Sequence, residues 1–160
     1  MLYRIAALAG AALLALPAEA QLLAHKDLSL ATALSIATTA GDTCKGQGNR
    51  VSVTVVGRTG EVIVQLRGDD ASPHTIENSQ RKAYTSRTFR VPSGEIVQRL
   101  KADPTAFFVH LNGVIAAQGG LPVKIGDEVI GGVGVSGSPG GDKDEVCAKA
   151  GLDKVADQLK

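Results

Sequence analysis

Between Arg67 and Lys82 the chain gathers most of its chemically versatile side chains: Arg67, Asp69, Asp70, Ser72, His74 and Thr75, then Asn78, Arg81 and Lys82. Guanidinium and ammonium groups bind carboxylates. An aspartate or a neutral imidazole can move a proton, and imidazole can also ligate a metal. Loops and the helix starts behind them commonly carry function. The same residues also read as a solvated loop with a helix N-cap at Ser72 or Thr75. His110, following Phe107 and Phe108, is a second candidate metal ligand beside His74. His25 lies near the start of the mature chain, and no histidine belongs to an H-E-x-x-H or similar metal spacing.

Other apparent motifs fail on context. Gly132-Val133-Gly134-Val135-Ser136-Gly137 spells the dinucleotide fingerprint G-x-G-x-x-G, but its glycines fall inside an expected strand rather than a strand-to-helix turn. The helix behind it opens with Asp142, Asp144 and Glu145, which suit a helix dipole and repel phosphate. Ser136 and Ser138 lack the flanking glycines of a nucleophile elbow. No paired carboxylates or activated nucleophile stands out, so a binding module is expected before an enzyme.

Positioning these residues requires alternating elements. Apolar residues at helical spacing from Asp27 predict a first helix stopped by Gly41, with Cys44 just beyond it. Val51 to Val56 and Val62 to Arg67 alternate as an antiparallel hairpin. Thr75 to Phe89 follows as a helix with little apolar content, whose polar face suits a ligand groove or subunit contact, with Ser52, Thr54, Gln65 and Arg67 as the facing wall. Ser93 opens a short capped helix that ends at Asp103-Pro104. Strands are expected at Val114 to Gln118, Leu121 to Ile125 and Glu128 to Val135, then a helix from Asp142. The order implies an α+β single domain with an antiparallel sheet of about five strands packed by helices.

Residues 1 to 20 read as a cleavable signal peptide: Arg4, an apolar run from Ile5 to Leu16, and Ala18-Glu19-Ala20 before Gln21. The mature domain, 21 to 160, is then expected to be periplasmic or secreted, and no later run is long and apolar enough to hold it in a membrane. A formal net charge of +1 argues against nucleic acid as a partner. The single methionine is Met1, which excludes methionine ligation of a metal in the mature chain. Cys44 and Cys147 are the only cysteines, and export permits them to form a disulfide.

Gly119-Gly120-Leu121-Pro122, the strand Ile130 to Ser136 with Gly137, and the tail Asp144 to Leu152 resemble the GlcG/HbpS family of haem-binding and haem-degrading-type proteins. Arg67-Gly68-Asp69-Asp70-Ala71 and Lys82-Ala83-Tyr84-Thr85 fit the same pattern, and the likeness runs over residues 23 to 158. The resemblance implies a compact domain related in topology to the C-terminal domain of PduO-type corrinoid proteins, assembled as a homo-oligomer. It implies haem, or a similar small ligand, as cofactor, with Arg67, Asp69, His74, Thr75, Lys82, Gly119 and Gly120 as the ligand site. The alternative is an enzyme or accessory protein acting on a small organic acid such as glycolate, or a corrinoid-type ligand.

Overall fold

A computed structural model describes residues 22–160, so the expected signal peptide lies outside them. Helix α1 spans Leu30–Gly46, capped by Ser29, whose hydroxyl accepts from the Thr32 amide. The hairpin strands are β1, Ser52–Val56, and β2, Val62–Arg67. Helices α2, His74–Phe89, and α3, Ser93–Ala102, follow, then a 3-10 turn at Phe107–His110. Strands β3, Gly120–Ile125, and β4, Glu128–Ser136, lead into α4, Gly141–Lys154. The fold is α+β, with an antiparallel four-stranded sheet in the order β2-β1-β4-β3.

One sheet face is aliphatic. Val53, Val55, Val133 and Val135 meet Ala33, Ile36, Ala37 and Ala40 of α1 and Ala148 of α4 in the main core. Cys44 and Cys147, both fully buried, form the disulfide that ties α1 to α4. Gly41 does not stop α1. The helix continues through it, so Cys44 sits in the last turn rather than beyond the end. The start of α4 at Gly141 precedes the expected Asp142 by one residue.

The opposite face is polar and yet buried beneath α2. Thr75 donates to the Ser72 carbonyl (2.7 Å) and Ser79 to that of Ile76 (2.9 Å), which leaves their oxygens to accept from Ser52 (2.7 Å) and Thr54 (2.8 Å). Gln65 completes the row by donating to Thr54 (2.9 Å). This corrects the expectation that Ser52 and Thr54 wall an open groove: each hydroxyl is satisfied inside the protein, and the low apolar content of α2 reflects a hydrogen-bonded interface. Burying a hydroxyl without such a partner costs about 1–3 kcal/mol.

Close approach of α2 also explains the glycines of β4. A Cβ at Gly134 would lie 2.1 Å from the Ser79 carbonyl oxygen and 2.5 Å from the Ala83 nitrogen, and one at Gly132 2.4 Å from the Ala83 oxygen. The G-x-G-x-x-G letters therefore record helix-to-sheet packing. Gly134→Ala is expected to cost roughly 1–3 kcal/mol, the overpacking range, as a lowered urea midpoint with an unchanged m-value.

The fifth strand does not form. Val114 to Gln118 is irregular because side chains of the helices take its backbone groups: the Ile115 amide donates to Thr85 Oγ1 (2.9 Å), and the Ala117 carbonyl accepts from Ser93 (2.7 Å). Ser93 is accordingly not the cap of α3. It lies within the helix after Pro92, and its oxygen also accepts from the Gly120 amide (2.8 Å).

Candidate functional site

The starts of α2 and α4, the side of α3 and the loop after β4 meet around a recess of about 500 Å3. Its lining includes His74, Thr75, Lys82, Lys101, Ser138 and Asp144. Lys82 and Asp144, separated by 62 residues in sequence, are 5% and 2% exposed and form an ion pair with Nζ to Oδ2 at 2.7 Å. Lys82 also donates to the Val135 carbonyl (2.9 Å), and Asp144 Oδ1 accepts the Ser138 amide (2.9 Å), so the pair links α2, β4 and α4.

The glycines Gly119 and Gly120 do not line the recess but permit this arrangement. Gly119 has φ 120°, and a Cβ there would lie 3.0 Å from Lys82 Nζ and 2.8 Å from Asp144 Cβ. A Cβ at Gly120 would meet the Lys82 carbonyl oxygen at 2.3 Å. Buried ion pairs contribute little net stability because desolvation offsets their attraction. An ion pair placed at the wall of a cavity is therefore a stronger pointer to function than to stability.

The structure divides the remaining candidates. His74 is exposed at the recess, and Thr75 is buried at its edge. Arg67 and Asp69 line a different groove, of about 500 Å3, between α1 and β2. There Arg67 donates through Nε (3.1 Å) and Nη2 (2.5 Å) to the Ala71 carbonyl, closing the Gly68 to Ala71 turn in which Asp70 adopts φ 58°. His110 is exposed in a third concavity, with Glu77, Arg81 and Leu111. Among the described residues, no group of three or more His, Cys, Asp or Glu side chains could hold a metal ion. The sequence reading missed Lys101 and the role of Asp144, and it considered Ser138 only as a nucleophile and set it aside.

The family model described as haem degrading protein HbpS-like matches residues 28–153. The chain belongs to this family. A crystal structure of HbpS superposes with a TM-score of 0.79 at 37% identity, covering 83% of this chain and 93% of that one. The fold is shared with the PduOC–haem complex, at a TM-score of 0.73 and 24% identity over 79% of this chain and 94% of that chain. An uncharacterized 15.0 kDa protein of the dhaT-dhaS intergenic region of Citrobacter freundii is 32% identical over 106 residues, 64% of this chain and 74% of the relative. Membership in the HbpS-like family thus rests on most of the chain, and the relation to the PduO domain rests on the fold.

Proposed function

We propose that this protein is an exported, non-catalytic haem-binding module of the HbpS-like family, with His74 as the iron ligand. The observation that carries this reading is that His74 shares one recess with Lys82 and Lys101, whereas Arg67 and His110 lie elsewhere. An exposed imidazole beside an exposed ammonium is a donor set suited to iron and to a propionate. The recess lining is largely polar, with Val97, Ala117 and Pro139 as its apolar side chains, so binding there would rest on His74 and on polar contacts to the propionates rather than on an apolar slot. The export expectation supports a ligand acquired outside the cytoplasm. Among the described residues no helix is long and apolar enough to cross a membrane.

Haemin titration of the purified protein tests the assignment. A Soret shift is expected with the parent, and His74→Ala should change its position and weaken binding. Lys101→Ala should weaken binding about tenfold, the equivalent of one charge-assisted hydrogen bond. A spectrum unchanged by His74→Ala but lost in His110→Ala would move the ligand to the 3-10 turn. That second reading is favoured by exposed Phe107 and Leu111 beside His110, at 70% and 40% exposure.

A homo-oligomer is part of the same proposal. β2 and β3 are edge strands, and Leu30, Leu34 and Val146 are exposed on α1 and α4. Native mass measurement should find more than one chain, and a monomer at micromolar concentration with and without haemin would remove this part. Turnover of a small organic acid in the polar recess is the rival function, and it predicts saturable activity reduced in Lys101→Ala, which leaves the buried Lys82–Asp144 pair intact.

A further inference from the structure

A second cationic site lies on the outer side of α2. Arg58, Thr59 and Gly60 of the β1–β2 turn and Tyr84, Arg87 and Thr88 of α2 line a concavity of about 370 Å3 that shares no lining residue with the recess. Arg58 is fully engaged: Nε donates to Asp27 (2.8 Å), Nη1 to Glu128 (2.7 Å) and Nη2 to the Lys26 carbonyl. Arg87 is not. Half-buried, it makes no ion pair or hydrogen bond among the described residues, and its Nε is one of two buried side-chain atoms there without a partner, Glu145 Oε2 being the other.

The field at Arg87 is positive. Burial, then the like charges of Arg90 and Arg58, hold its guanidinium below the ordinary range, and Glu61 acts weakly the other way. Glu61 makes no ion pair with Arg87: its Oε2 accepts from the Thr59 amide (3.0 Å) and hydroxyl (2.5 Å). A buried guanidinium Nε without an acceptor costs stability, and an orphan of this kind in a native protein points to an ion, a water or another outside group as its partner. Tyr84 and Thr88, both hydroxyl-bearing, line the same concavity.

We propose that this concavity binds a small tetrahedral oxyanion of the phosphate or sulfate type, with Arg87 as the principal donor and Tyr84 and Thr88 as neutral donors. Guanidinium presents its N–H groups as a fixed fork that matches such oxygens. The site is separate from the proposed haem recess and stands or falls independently of it.

The site carries its own reporter. Tyr84 is one of two tyrosines, the other being Tyr3 in the expected leader, and there is no tryptophan. Adding inorganic phosphate should change tyrosine fluorescence saturably and raise the thermal midpoint, relative to sodium chloride of equal ionic strength. Arg87→Met should raise the phosphate Kd at least tenfold while leaving the anion-free midpoint equal or higher, because it removes an unsatisfied buried donor. Thr88→Ala, a milder surface change, should weaken phosphate severalfold without altering the fold. The proposal is overturned by a parent that responds to phosphate no more than to chloride. It is equally overturned by an Arg87→Met variant that binds phosphate as the parent does, or by one whose anion-free midpoint falls, which would make Arg87 a packing residue.

Discussion

Lys82→Met is expected to destabilise the protein by about 3–5 kcal/mol, the cost of leaving a buried carboxylate uncompensated. Methionine preserves most of the side-chain volume, so packing does not dominate the loss. What remains is Asp144 at 2% exposure, with the Ser138 amide as its sole donor among the described residues once the 2.7 Å ion pair is gone. For a domain of this size the change corresponds to a fall of roughly 10–17 °C in the thermal midpoint. Lys82→Met combined with Asp144→Asn should recover much of it, since a neutral amide is far cheaper to bury than an unpaired charge and keeps an oxygen for Ser138. Urea unfolding of both variants checks the pair. A single variant as stable as the parent would show that water or rearrangement already solvates Asp144. A double variant no better than the single would assign the loss to the Lys82 contact with the Val135 carbonyl instead.

The fold was legible where local pattern and burial agree. Alternation in Val51 to Val56 and Val62 to Arg67 gave the hairpin to within one residue, because one face of each strand meets an aliphatic core. Pattern failed where a long-range partner decides. Val114 to Gln118 has strand composition, but Thr85 and Ser93, far away in sequence, claim its backbone groups. Gly41 reads as a helix stop, yet α1 continues because its buried face, Ala37, Ala40 and Cys44, runs past it into the core. The site shows the same division. Lys82 and His74 stood out by type, and Gly119-Gly120 by family pattern. Asp144 looked like an ordinary first-turn acid, and nothing local reveals that its carboxylate meets an ammonium 62 residues earlier. Arg67, prominent in the sequence, turns out to fasten its own loop.

Reduction of Cys44 to Cys147 should remove about 4 to 5 kcal/mol, the chain-entropy value for a closed loop of about a hundred residues. The sequence separation is 103, so the cross-link constrains most of the described chain in its unfolded state. A dithiol reductant should therefore lower the thermal midpoint strongly, and a Cys44→Ala/Cys147→Ala variant should match the reduced protein. Native-state hydrogen exchange separates two accounts of that loss. If the bond acts only on the unfolded chain, protection falls for globally exchanging amides and local openings stay as they were. The contacts around it argue for an added native-state effect. Cys44 Sγ lies 3.5 Å from Ser138 Oγ, the Ser138 amide donates to Asp144, and Cys147 follows Asp144 by one turn of α4. The Ser138 amide and the first turn of α4 should then lose protection on reduction before α2 and β4 do. Uniform loss across the sheet and all helices would reduce the disulfide to a constraint on the unfolded chain and detach it from the recess.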